Sequence, residues 1–162
     1  MVRQERMQEY WAEIETPVGT LWLYATDEAL VRVDSHGPRP QGKANANTVL
    51  REAARQLEEY FAGRRTKFDL PLAPEGTDFQ KKVWRAMQRI PYGQTESYGH
   101  LAHGVQSPAA SRAVGAACGR NPLLIVIPCH RVVGADGSLT GFGGGLAMKE
   151  WLLEHEGNVF KV

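Results

Sequence analysis

At 162 residues, 43% of them hydrophobic and 23% charged, the chain can build one core or two small ones and has ordinary globular composition. Its longest apolar run, residues 123–127, is far short of the ~20 that span a bilayer, and MVRQERMQEY is too polar for a secretory leader, so a cytoplasmic protein with no membrane contact is expected. The net charge of +1 conceals an asymmetry: residues 1–76 carry 10 Lys/Arg against 12 Asp/Glu, and residues 77–162 carry 9 against 6, which suits the second half to a polyanion such as nucleic acid.

From Tyr10, YWAEIETPVGTLWLYATDEALVRVDSH alternates apolar and polar residues and breaks at residues 16–19, the pattern of a hairpin-like run of strands. Residues 35–47, rich in Gly, Pro and polar side chains, read as a loop. After Thr48, the residues Val49, Ala53, Leu57, Tyr60 and Phe61 recur at helical spacing and predict a helix that covers the sheet and ends at Gly63. KFDLPL then reads as a last strand and residues 71–76 as a linker, which divides the chain into a supporting domain, 1–72, and a second domain, 77–162.

The second domain opens on Thr77, whose hydroxyl can cap a helix while Gln80 reaches back, the capping-box pattern. Phe79, Val83, Met87 and Ile90 follow on one face, and Pro91-Tyr92-Gly93 ends the run. Next come a helix over 97–105, a turn over 106–108 and a helix over 109–119, the spacing of a helix-turn-helix. In ASRAVGAACG only Arg112 is long. Such a helix either packs tightly inside or lets its backbone approach a partner while Arg112 projects, and the sequence leaves both open. Further on, the glycines of GFGGG, 141–145, are either a linker or a place where backbone amides meet a ligand. AMKEWLLEHEG closes the chain as an amphipathic helix.

The chemistry concentrates in IPCHRVVG, 127–134, behind the apolar run. Two cysteines make no disulfide framework, and without a C-x-x-C spacing they do not read as a zinc site, so Cys129 is expected as a free thiol. A thiol is a poor nucleophile at neutral pH unless a base or cation sits beside it, and His130 and Arg131 are adjacent. In extended chain neighbours point to opposite faces, so Cys129 and His130 cooperate only across a bent backbone or a bridging water. A histidine base also needs a carboxylate to fix its tautomer, and Glu156 is the best candidate. Against this stands a plain buried cysteine beside a hydrogen-bonded histidine.

SYGHLA, SRAVGAACGRNP, IPCHRVVG and GFGGGLAMKEWLLEHEG, in this order and spacing, resemble the O6-alkylguanine-DNA alkyltransferases, the one-use repair proteins also called O6-methylguanine-DNA methyltransferases. The resemblance covers nearly the whole second half, and TPVGTL and GTDFQKKVW extend it more weakly to the first. It implies an α+β fold: a small N-terminal sheet with a helix, ribonuclease-H-like, then a helical domain with a winged-helix-like helix-turn-helix and the active-site cysteine. It implies that Cys129 accepts the alkyl group through a Glu156–His130–water–Cys129 relay, once and irreversibly, with no metal or organic cofactor. The implied partner is double-stranded alkylated DNA, gripped in the minor groove by a monomer that can cluster along it, with the damaged nucleotide flipped out. Guanine is the expected base, with O4-alkylthymine a further candidate.

Residue by residue, the resemblance gives Tyr98 the guanine hydrogen bond, a proton for the leaving base and the turning of the target phosphate. Asn121 joins the recognition helix to an active-site strand. Ala109, Ala110, Ser111, Ala113 and Gly115 present the recognition helix to DNA, and Arg112 fills the vacated stack. Val132, Phe142, Gly143 and Gly144 wall the base pocket. Phe142 departs from the tyrosine of many members, and Gly143 offers only its amide, so a wider pocket is expected. Cys118 reads as a packing residue, while His36, His100 and His103 read as surface residues. Two other readings are weaker: a lesion-binding relative, which would lack the acceptor cysteine, and a cysteine hydrolase, which would leave Arg112 and Tyr98 without a use. A metal set from Cys118, Cys129, His130 and His155 matches no common spacing.

Overall fold

The computed structural model describes residues 9–105, 110–139, 142 and 144–158. The chain separates into two compact units between Glu75 and Gly76, each with its own core.

In the first unit, β1 (Tyr10–Thr16), β2 (Gly19–Ala25) and β3 (Leu30–Asp34) form an antiparallel sheet in the order β1-β2-β3. Thr16 makes the first turn: its Oγ1 donates to the Gly19 carbonyl at 2.6 Å and accepts from the Val18 amide at 3.1 Å. Alternation sends Leu21, Leu23, Ala25 and Val33 inward, fully buried. Helix α1 (Thr48–Phe61) covers that face with Leu50, Ala53, Leu57 and Tyr60. Asn47 anchors it at both ends of one side chain, accepting from the Leu50 amide at 3.0 Å and donating to the Thr26 carbonyl at 2.9 Å.

The expected strand in KFDLPL does not form. Leu72 makes an isolated bridge to Leu30, supported by Leu30 N–H on the Pro71 carbonyl at 2.8 Å and Ala73 N–H on the Leu30 carbonyl at 2.9 Å. Pro71 and Pro74 have no amide hydrogen to extend the ladder. The buried Gln56 side chain takes over, accepting from the Asp69 amide at 2.8 Å and donating to the Asp69 carbonyl at 3.0 Å.

The second unit begins with α2 (Asp78–Gln88), and both bonds of its capping box are made: Gln80 N–H to Thr77 Oγ1 at 3.1 Å and Thr77 N–H to Gln80 Oε1 at 2.9 Å. After β4 (Glu96–Ser97) come α3 (Tyr98–Gly104) and α4 (Ser111–Gly119). Ser97 caps α3 through the His100 amide at 3.0 Å, which starts it one residue later than expected, and α4 starts at Ser111 rather than Ala109. Ala109 and the turn at 106–108 lie outside the described residues. A 3-10 turn, Cys129–Arg131, leads into β5 (Val132–Val133), which pairs parallel with β4, and α5 (Leu146–His155) closes the unit. Val83, Trp84, Met87, Leu101, Val114, Leu123, Leu152 and Leu153 fill its core. Trp84 Nε1 donates to the Ala117 carbonyl at 2.8 Å, tying α2 to α4. No described helix is long and apolar enough to cross a membrane.

Candidate active site

Between α4 and the 3-10 turn the apolar run 123–127 folds into tight turns. Val126 N–H bonds the Leu124 carbonyl at 2.8 Å and Ile127 N–H the Leu123 carbonyl at 2.9 Å. Ile125, between them, has φ 73°, a left-handed conformation that a β-branched side chain adopts only when its surroundings hold it there. Asn121 does much of the holding: Oδ1 accepts from the Leu123 amide at 2.9 Å, and Nδ2 donates to the Ile127 carbonyl at 2.8 Å and to Cys129 Sγ at 3.1 Å. The asparagine is thus a direct partner of the sulfur.

The adjacent Cys129 and His130 lie in the 3-10 turn, a bent backbone and not an extended strand. Both are buried, 4% and 0% exposed, as are Arg131, Lys149 and Glu156. His130 Nε2 lies 2.8 Å from Glu156 Oε2. Arg131 grips the same carboxylate with Nε on Oε1 at 2.8 Å and NH2 on Oε2 at 3.0 Å, and donates through NH1 to the Ile90 carbonyl at 2.6 Å. These partners overcome the burial of Glu156 and hold its carboxyl far below the usual range. A permanently ionised acceptor puts the ring proton on Nε2. The other ring nitrogen, Nδ1, is buried without a hydrogen-bond partner among the described residues.

Burial dominates the titration of the other two groups. It pushes the Cys129 thiol up to about 11, against the opposing pull of the Asn121 amide and the Lys149 cation. It drives His130 below its ordinary range, although Glu156 favours the imidazolium. The resting site therefore holds a neutral thiol beside a neutral imidazole.

Tyr98 opens α3 directly after β4, whose partner β5 follows the Cys129–Arg131 turn. A Cβ at Gly115 would stand 3.9 Å from Tyr98 Cδ1, so α4 and the tyrosine ring are close. Along α4, Ser111, Arg112, Ala113, Ala116, Gly119 and Arg120 are exposed, Ala110 and Gly115 are half-buried, and Val114, Ala117 and Cys118 face the core. The helix is therefore not an interior one: its small residues form an open face with Arg112 on it. Cys118 packs, its Sγ 3.5 Å from Met87 Sδ. His36, His100 and His103 are exposed.

Val132 is buried, and its carbonyl accepts from Lys149 Nζ at 2.6 Å. The Phe142 ring stands edge-on to His130, centroids 6.5 Å apart. A Cβ on Gly144 would come within 2.5 Å of Met148 Sδ and 2.8 Å of the Phe142 ring, so a larger residue would have to displace these side chains. Gly143 lies outside the described residues. Sequence reasoning missed two functional candidates, the clamp of Arg131 on Glu156 and the buried Lys149. A signal for the second was present, because 148, 149, 152, 153 and 156 fall on one helical stripe and two of the five are charged.

The fold and site define an α+β protein with a buried cysteine–histidine–glutamate set next to a helix pair whose second member exposes a small-residue face. The models that match are the 6-O-methylguanine DNA methyltransferase ribonuclease-like domain over residues 10–74 and the DNA-binding domain of the same proteins over residues 78–158. The chain belongs to the 6-O-methylguanine DNA methyltransferase family. It is 49% identical over 154 residues, 92% of its length and 99% of the relative's, to a methylated-DNA--protein-cysteine methyltransferase of Methanosarcina acetivorans. A Mycolicibacterium paratuberculosis protein of the same name is 46% identical, with 88% of this chain and 89% of that one covered. Among solved structures, Mycobacterium tuberculosis OGT in complex with DNA superposes with a TM-score of 0.84 at 43% identity, covering 91% of this chain and 92% of that one.

Proposed function

We propose that the protein repairs alkylated DNA by taking the alkyl group from O6 of guanine onto Cys129, once per molecule. The observation that carries this reading is His130: Nε2 is fixed on an ionised Glu156, while Nδ1 is left free to accept beside a thiol already held by Asn121. Attack of Sγ on the alkyl carbon forms an S–C bond and breaks the C–O6 bond. The thiol proton passes through a bridging water to Nδ1, and the leaving guanine takes a proton from the Tyr98 hydroxyl, which the relay restores. A thioether resists hydrolysis, so the reaction is stoichiometric. No metal or organic group enters this scheme.

DNA binding is supported by the relative whose structure holds DNA and by the exposed Ser111, Arg112, Ala113 and Ala116 of α4. In our reading this face, with Ala109, Ala110 and Gly115, enters the minor groove as a monomer, Arg112 takes the place of the flipped nucleotide, and Val132, Phe142, Gly143 and Gly144 wall its pocket. O4-alkylthymine is a second candidate substrate. The test is intact mass after incubation with a duplex carrying one O6-methylguanine, followed by peptide mapping. A gain of ~14 Da on Cys129, ending at one equivalent, is expected from an activated thiol. Tight lesion binding with no mass gain would make this a recognition protein instead.

A further inference from the structure

We propose that Arg131 is a positioning residue that keeps the proton of His130 on Nε2 by holding Glu156 as a carboxylate; this deepens, and rests on, the alkyl-transfer reading. Glu156 lies at the C-terminal end of α5 next to Leu152 and Leu153, 6% exposed, where an unpaired carboxyl group favours its protonated form. A protonated Glu156 would donate to Nε2 instead of accepting from it. The ring proton would then sit on Nδ1, the one nitrogen with no described partner, and His130 could no longer accept a proton from the thiol.

The geometry answers this hazard. Arg131 meets both carboxylate oxygens with two donors, at 2.8 and 3.0 Å, and shares Oε2 with the imidazole. Its bond to the Ile90 carbonyl at 2.6 Å and the Tyr92 ring 5.8 Å away hold the guanidinium in place. Its charge also disfavours a protonated ring. Arg131 therefore makes the carboxylate acceptor-only and keeps the resting imidazole neutral, both of which a proton acceptor at Nδ1 requires.

The charged and titratable groups around Glu156 come from each packed element. His130 and Arg131 lie on the 3-10 turn, and Tyr92, whose hydroxyl bonds the His155 carbonyl at 3.3 Å, lies after α2 beside the Gly93 amide. Lys149 lies two turns back on α5, next to the thiols. Arg131 gives Glu156 two bonds and a permanent charge.

Loss of a purely structural ion pair would cost stability but leave the His130 tautomer and the shape of the rate profile where they were. The two roles separate in Arg131→Met and Arg131→Lys, studied with the full chain from pH 4.5 to 8. Single-turnover methyl transfer from an O6-methylguanine duplex gives the rate, and nitrogen-15 NMR of labelled histidine gives the His130 tautomer. In Arg131→Met the acid limb of the rate should move up by at least one pH unit, with the tautomer changing at the same pH. Arg131→Lys, which keeps the charge and loses the fork, should fall between, and carries the test alone if the methionine variant does not fold. A rate lowered by the same factor at every pH, with His130 still protonated on Nε2, overturns the proposal. If wild-type protein takes no methyl, alkyl transfer is wrong, yet the tautomer comparison still decides the role of Arg131.

Discussion

At the scale of single residues, the site is decided by which polar atoms have partners in a buried place. Glu156→Gln removes the fixed negative charge that a protonated His130 needs, so methyl transfer should slow by roughly 10²-fold or more, the usual worth of general acid–base help. Lesion binding, measured by fluorescence anisotropy, should change far less. Asn121→Ala takes away both the donor to Sγ and the bonds that close the 121–127 turns. Its effect should therefore appear twice, as slower transfer and as a lower melting temperature, whereas a loss confined to melting would show that the bond to sulfur carries no weight. Cys129→Ser should fold and gain no mass.

Among the elements, α4 is where the two open readings of the sequence separate. Ala116 is exposed on the small-residue face, while Val114 and Ala117 are buried. An Ala116→Glu substitution should therefore leave the melting temperature within about 2 °C, because exposed changes cost little. It should weaken duplex binding at least tenfold, through both bulk and charge; binding unchanged in a salt titration would remove α4 from the interface. Thr77→Ala breaks one half of the observed capping box and should cost about 1 kcal/mol by urea unfolding.

Across the whole molecule, buried titrating groups set the pH range of stability. Glu156 and His130 have folded values below their ordinary 4.5 and 6.5, so as pH falls below about 6.5 and then 4.5 the unfolded chain binds protons that the fold refuses, and stability is lost. Cys129 and Cys118 are raised from 9 to about 11 and about 12. The unfolded chain then releases thiol protons from about pH 9 upward while the fold keeps them, and stability is lost there too. A melting-temperature profile should show a plateau between about pH 6.5 and 9, falling on both sides. Cys118→Ala should flatten only the alkaline side, and an alkaline slope unchanged in that variant would assign it to other groups.

Much of this was legible in the residues themselves. Period-2 and period-3.6 patterns marked the hairpin-like strand region from Tyr10 and the helix α1, and Thr77 with Gln80 announced the start of α2, because these signals depend on local backbone geometry. The order of motifs around Cys129 and His130 was enough for the family. KFDLPL failed as a strand because prolines removed the ladder donors and a distant Gln56 supplied bonds in their place. Residues 123–127 read in the sequence only as an apolar run, and their tight bends depend on bonds from the Asn121 side chain to the Leu123 amide and the Ile127 carbonyl. Helical spacing puts Lys149 on the buried stripe of α5, but the partners of Arg131 and Lys149 could not be read from spacing, since a buried cation is tolerated only where folding brings an acceptor to it, here the Glu156 carboxylate and the Val132 carbonyl. The sequence by itself determined the elements and the reactive groups; tertiary structure alone decided which of those groups share hydrogen bonds and which nitrogen of His130 meets Glu156, because both depend on contacts between residues far apart in the chain.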